Sequence, residues 1–579
     1  MEKNVISIVG VVPALLVVSL AGAGQADAGT LYVGAGETYT TIQSAIDAAS
    51  DGDTIVVRDG YYTGDGNRDI DFRGKAVHLM SENGPGSCVI DAQGNASARH
   101  RGLLFVNGEG EDAILEGFTI TGGYMDGLAL EDRKGGGIYC RDSSPTITRN
   151  VITDNACTVS GAGVYIANGS SPLLTLNTIS GNEAFEGGGI FCEISSPSIV
   201  TNAISGNAVG AGGGGIKCYY STAQIMDNVI GENRASTGGG VYCDGSSATL
   251  VGNTIQDNTV VSYGAGVLTG GSRSPMIVNN AIISNTSEVY GGGLALESGS
   301  DGGDPVVAGN MIYANYAEFY GGGVTWEGTT GLMVNNVVAN NTAAECAGIY
   351  CTALMDISNS TITGNRATSR AGGVYVYGGG PTISNSILWG NTAQQGLGTQ
   401  IYVASFSGPT IRHSNVAGGE NAAYVASGSS LYWEEGNIDE DPLFADPGNG
   451  DYHLKSEDGR WDPTANGGAG GWVFDGVTSP CINTGDPTSD YSDEPGFNGG
   501  RINMGAYGNT NEASQGKWIL PGDTNHDSEV NILDLTFVRS HLYGYVDTGD
   551  NWRGDVNEDG KINVLDLIYV RNHLGTFRK

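Results

Sequence analysis

The chain has 579 residues, more than one ordinary core can organise, and 95 of them are glycine while only 16% are charged, a balance that points to repeated turns rather than a helical globule. A formal net charge of −36 excludes nucleic acid and anionic membrane surfaces as partners, suits calcium-rich extracellular surroundings, and disfavours a polyanionic substrate without a local basic groove. Nine cysteines is an odd number for a disulfide framework.

The first predicted element is an apolar run from Val5 to Leu20 behind a single lysine, ending in the small residues Ala26-Asp27-Ala28. It reads as a secretory signal over residues 1–28 cleaved near Ala28, with an uncleaved anchor as the alternative, and no second spanning segment follows. From Thr41 to Ser50, Ile42, Ala45, Ile46 and Ala49 recur at helical spacing, and DGDTIVV follows as a strand. A small amphipathic helix there covers the open edge of whatever sheet comes next, and the region resembles the opening of pectin-lyase-like β-helix proteins.

Ten strings then repeat at intervals of 25 to 30 residues, 25 or 26 in most cases, among them GGGIYC (Gly135), GAGVYI (Gly161), GGGIFC (Gly187), GGGIKC (Gly213), GGGVYC (Gly238) and GGGVTW (Gly321). Each is followed by a turn such as SSP, a short β-rich segment such as TITRN, and a segment of the form N-x-I-x-x-N. One such unit is too small to bury its own apolar face, so the copies must stack. Three short strands per repeat predict an all-β fold: a right-handed single-stranded parallel β-helix of about ten or more rungs over residues 29–412.

Strand alternation sends Ile138 and Cys140 inward and Tyr139 outward. The inward set recurs as Cys140, Cys192, Cys218, Cys243 and Cys351, expected as buried free thiols, with a disulfide between neighbouring rungs such as Cys192 and Cys218 as the alternative. Two asparagine columns, one through Asn150, Asn177, Asn202 and Asn228, the other through Asn155, Asn182, Asn207 and Asn233, are expected at the bend between the second and third strands, where stacked amides bond rung to rung.

Outward positions carry the candidate chemistry. Tyr139, Tyr165, Phe191 and Tyr242 form one column, and Glu193, Asp244, Glu297 and Glu327 lie two places further on. Aromatic rings beside carboxylates can line a sugar-binding cleft, with Tyr139, Tyr165, Phe191, Glu193, Tyr242 and Asp244 as binding candidates. Glu297 and Glu327 fall on consecutive rungs, about 5 Å apart by strand spacing, close to the separation of a retaining glycosidase pair, and are the catalytic candidates. The unusually long rung between Gly293 and Gly323 is where a cleft would be built. Glu288 and Glu318 make a second stacked pair. The rungs lack the adjacent aspartates and Gly-His-Gly of polygalacturonase-type enzymes and any compact acid cluster of the pectate-lyase kind; Arg133, Lys134 and Arg141 with Asp132 and Asp142 come nearest.

Residues 413–517 read as an irregular closing segment, with Asn511 to Gln515 as a linker. DPLFADPGNGDYHL (Asp441 to Leu454) and SPCINTGD with GGRINMGAYGNT (Ser479 to Thr510) resemble the closing segment of bacterial secreted β-helix proteins that end in an anchoring module. Residues 518–579 hold two copies of one pattern, DTNHDSEVNILD from Asp523 and DVNEDGKINVLD from Asp555, each followed by the frame N-[IV]-L-D-L-x-[FY]-V-R-x-H-L. Oxygen-bearing side chains stand at loop positions 1, 3, 5, 9 and 12, the spacing of a tight turn around a hard cation.

Loop plus helix, twice, resembles a type I dockerin. The resemblance implies two calcium ions, one on Asp523, Asn525, Asp527, Asn531 and Asp534 and one on Asp555, Asn557, Asp559, Asn563 and Asp566, and a cohesin-like partner module. It departs from many cellulosomal dockerins in carrying Ile532-Leu533 and Val564-Leu565 where they have Ser-Thr. Since dockerins mostly accompany carbohydrate-active enzymes, the chain is expected to be secreted and to act on or bind an extracellular polysaccharide, by glycosidic hydrolysis before β-elimination. The alternative is a non-catalytic adhesin or scaffold, because the repeats also resemble those of bacterial polymorphic outer-membrane proteins.

Overall fold

The computed structural model describes residues 28–127, 129, 133–271, 274–297, 303–328, 330–496 and 499–516, together with 532–540, 568, 570 and 571. The glycine-rich repeats coil into a right-handed parallel β-helix. A representative rung runs Ile138–Arg141, Thr146–Thr148, Val151–Thr153 and Ala156–Cys157 before the chain returns to Val164–Ala167, stacked on its starting strand. These strands build four parallel sheets of 14, 16, 14 and 11 strands, called sheets 1 to 4 in rung order. The fourth strand is a correction to the expected three per rung. In most rungs it is only two residues long, too short to leave an alternation in the sequence to read.

Inward side chains stack into columns. Ile138, Val164, Ile190, Ile216 and Val241 are in register and fully buried, and so are Ile147, Leu174, Ile199 and Ile225 on sheet 2. Each such side chain contributes roughly 1.5–3 kcal/mol by leaving water. All nine cysteines are free and buried, so the thiol expectation holds over the disulfide alternative. Cys192, Cys218 and Cys243 are neighbours in register, and burial pushes the Cys140 and Cys351 thiols up to about 12.

Both asparagine columns are unbroken ladders. Asn228 shows the pattern: its Oδ1 accepts from the Asn202 amide at 2.9 Å and Nδ2 at 3.0 Å, while its own Nδ2 donates to Ile199 O at 2.8 Å and Asn253 Oδ1 at 3.0 Å. The Asn150 column lies at the bend between sheets 2 and 3, as expected. The Asn155 column instead lies between Val151–Thr153 and Ala156–Cys157, at the bend into sheet 4. That bend exists only because the fourth strand does.

The N-terminal end is closed by the helix Ile42–Ala48, whose Ile42, Ala45 and Ile46 are buried, with the Thr41 hydroxyl accepting from the Ser44 amide at its N-terminus. Parallel pairing continues past residue 412 to Tyr432–Trp433 on sheet 2. The closing segment then folds back along the outer face of sheet 3. Tyr452 and Ala506 pack on Val337 and Ala339, Asn335 Nδ2 donates to Ala506 O and Gly508 O at 2.9 and 2.7 Å, and the Asp486 amide donates to Asn385 Oδ1 at 2.6 Å. Asn511 to Gln515, expected as a free linker, belongs to this packed body: Ala513 is fully buried and Ser514 Oγ donates to Leu454 O at 2.5 Å.

Candidate functional site

The outer face of sheet 1 holds the sequence-derived candidates, and it divides into two regions. In the N-terminal one, alternation does place Tyr139, Tyr165 and Phe191 outside the main core, yet they are 5%, 1% and 4% exposed. Rungs are one strand spacing apart, so the rings cover one another, with centroids 5.2 Å apart for Tyr139–Tyr165 and 5.9 Å for Tyr165–Phe191. The Arg101 guanidinium caps Tyr139 at 4.7 Å. Lys134 Nζ lies 2.7 Å from Tyr165 Oη and 3.0 Å from Glu193 Oε2, and Tyr165 donates to Glu193 as well. Tyr139, Tyr165, Phe191 and Glu193 thus form a closed, internally paired unit whose ring faces are occupied. Within the expected basic edge, Arg141 pairs with Asp142 at 3.1 Å, and Asp132 lies outside the described residues.

The next rung puts Lys217 in the aromatic column. Its Nζ stands 2.7 Å from Glu186, 3.7 Å from Asp244, and 4.9 Å from the centre of the Tyr242 ring. Tyr242 and Asp244 remain partly exposed. Burial pushes the Asp244 carboxyl up, against the pull of the Lys217 ammonium.

Glu297 and Glu327 follow, paired in register at the ends of Leu294–Glu297 and Val324–Glu327. Both are partly exposed, and among the described residues neither has a hydrogen-bond or ion-pair partner. Burial raises both carboxyls, and the charge of Glu327 raises Glu297 further. The outward strand positions two places before them carry Ala295 and Thr325, both buried, rather than rings. There the preceding turn supplies tyrosines instead: Tyr263, Tyr290 and Tyr320 lie 5.1 and 5.5 Å apart, and the column passes to the strand tyrosines Tyr350, Tyr375 and Tyr402. The acid pair therefore has a wall of rings along one side. Two carboxylates at strand spacing, both raised by burial, can give a proton to a leaving oxygen and stabilise or attack the carbon left behind. Glu288 and Glu318 are exposed on the turn surface.

A further cleft lies elsewhere, between the closing segment and sheet 3, around His453, Arg460 and Tyr507. The DPLFADPGNGDYHL motif held half of its residues. The other half, Met311, Arg460, Asp462, Pro463, Thr464 and Tyr507, comes from outside that motif, and no local pattern joins them to it.

Of the ten calcium-ligand positions, Asp523, Asn525, Asp527, Asn531, Asp555, Asn557, Asp559, Asn563 and Asp566 lie outside the described residues, as does the side chain of Asp534. The helix expected after the first loop is present as Ile532–Ser540, and the all-oxygen donor set of both loops suits a hard cation. No helix among the described residues is long and apolar enough to cross a membrane.

The sequence model described as right handed beta helix region matches residues 101–282 and 239–416, and that of the dockerin type I domain matches residues 521–575. No curated protein matches significantly. A solved structure titled "a new PL6 alginate lyase complex with trisaccharide" is 12% identical, with 79% of this chain and 93% of that chain covered at a TM-score of 0.33. At that similarity nothing about activity follows from it.

Proposed function

Because the chain belongs to the right handed beta helix region family and carries a type I dockerin, we propose that it is a secreted protein that hydrolyses glycosidic bonds of an extracellular polysaccharide on the outer face of sheet 1. The observation that carries this reading is the pair Glu297 and Glu327, in register, half-buried, unpartnered and walled by tyrosines. Of the other acids described on this face, Glu193, Glu186 and Asp244 are each committed to a lysine and Asp71 pairs with Arg73. In the proposed reaction Glu297, whose carboxyl is raised by burial and by the charge of Glu327, acts as the acid on the leaving oxygen, and Glu327 faces the anomeric carbon.

Type I dockerins bind calcium and dock into cohesin modules, so a cohesin-bearing partner is proposed, with residues 518–579 as the attached module and removal of residues 1–28 on export. Calcium bound at the ten oxygen positions would order that module. Proteins bearing dockerins are typically extracellular, which fits the chain's acidity.

The test is incubation of the full chain with neutral and acidic polysaccharides, reading new reducing ends and, separately, unsaturated ends. Reducing ends that fall at least 100-fold in both Glu297→Gln and Glu327→Gln are expected. Unsaturated ends would replace hydrolysis by β-elimination. A second reading, a non-catalytic adhesin, draws on the closed Tyr139–Tyr165–Phe191 stack, which builds a rigid face rather than an open subsite. Glycan binding with no bond cleavage would select it.

A further inference from the structure

The cleft between the closing segment and sheet 3 has a volume of about 380 Å³, the size of a small-ligand pocket. Its inner wall is rigid. His453 is 2% exposed, its Nδ1 lies 2.6 Å from Asp451 Oδ1, its Nε2 3.4 Å from Glu512, and its ring stacks on Tyr507 at 3.6 Å. Burial works against a charged imidazole, and the two carboxylates outweigh it, raising the His453 pKa. Arg460, 9% exposed, is braced by Asp451 at 3.2 Å and Asp475 at 3.1 Å. The sheet contributes Met311, so the cleft exists only when the closing segment is docked.

The outer wall differs in kind. Asp446 and Asp462 stand at the mouth, steadied by Asn449 at 2.7 Å and by the Thr464 amide and hydroxyl at 2.8 and 2.7 Å. Each keeps carboxylate lone pairs for further donors. Met311, Ala445 and Pro463 add an apolar patch. Acceptors around a small apolar patch match a pyranose, which presents hydroxyl donors at its edge and C–H groups on its face. The charges decide which sugar. Both mouth carboxylates repel an anion, and the two cationic groups of the wall, Arg460 and His453, are already neutralised by Asp451, Asp475 and Glu512, so a uronate has no free counter-charge to meet.

We propose that this cleft binds one or two residues of an uncharged glycan, as a site separate from the Glu297–Glu327 face. It would hold the polysaccharide on the side of the molecule where the closing segment lies, whether or not the sheet 1 face is catalytic.

Titrating the full-length protein with cellotriose, xylotriose, mannotriose and trigalacturonate, by calorimetry and by fluorescence of the neighbouring Trp461 and Trp472, tests this. At least one uncharged trisaccharide is expected to bind saturably and more tightly than trigalacturonate. Asp446→Ala with Asp462→Ala should weaken it at least tenfold, and Asn449→Trp, which blocks the mouth from an exposed turn, should do the same with unchanged circular dichroism. Glu297→Gln with Glu327→Gln should leave it intact. Three results would each overturn the proposal: no saturable binding of any uncharged trisaccharide, tighter binding of trigalacturonate, or binding lost only in the glutamate variant. The last would place the sugar on sheet 1 and leave the proposed hydrolysis standing.

Discussion

Glu494 shows how far one buried side chain can set the pH response of this protein. It is 6% exposed, its Oε1 accepts from the Asn503 amide at 2.8 Å and the Asn509 amide at 2.9 Å, and its Oε2 is buried without a hydrogen-bond partner. Burial raises its pKa to about 7, against the pull of the two amides. The folded state therefore holds this proton more tightly than the unfolded chain does. The stability it contributes is complete below about pH 4.5 and is lost as pH rises through about 7, by up to about 3 kcal/mol. Glutamine keeps the accepting oxygen and removes the charge. Urea unfolding followed from pH 5 to 8 is expected to show a falling midpoint for the natural chain and a flatter profile for Glu494→Gln. Parallel profiles would show that the carboxylate reaches solvent in the folded state.

At the scale of the element, the asparagine ladder does for the bends what hydrogen bonding does for the strands. Asn228→Ala would leave the Asn202 amide and the Ile199 carbonyl buried without those partners, each costing roughly 1–3 kcal/mol. A drop of about 2–4 kcal/mol in unfolding free energy is expected, with faster amide exchange at Asn202, whereas Asp227→Asn at the exposed neighbouring position, which keeps a residue suited to its left-handed φ of 55°, should shift stability by under about 0.5 kcal/mol. The ladder was legible because every rung repeats it at one offset. The bend it serves was only half legible, since Ala156–Cys157 is too short to show a period of two. The same reasoning explains the outward tyrosines. Alternation gave their face correctly, but burial on that face depends on the rung above and on lysines arriving from other turns, such as Lys134 on Tyr165 and Glu193. The Glu297–Glu327 register could be read from the repeat because they close equivalent strands of consecutive rungs, while the His453 cleft joins three distant stretches and had no periodic signal.

The whole molecule joins two kinds of stability. The β-helix is held by a continuous column of apolar side chains and by amide ladders, neither of which titrates or needs a metal. The dockerin is a short sequence whose two loops carry the ten proposed oxygen ligands, so calcium is expected to supply a large share of its folding free energy. A ligand that binds only the folded form at 1,000 times its dissociation constant adds about 4 kcal/mol, and that addition vanishes with chelation. Calorimetry of the full chain in calcium and in chelator is therefore expected to show one transition that shifts down by ten degrees or more and a second, larger one that stays in place. Asp555→Asn should reproduce half of the effect by weakening one loop, with bound calcium falling from two ions per chain towards one. If the larger transition also moved with chelation, calcium would have to sit on the β-helix too. The acidic face of sheet 1, whose Glu297 and Glu327 are the acids there left without a cation, would then be the first place to look for it.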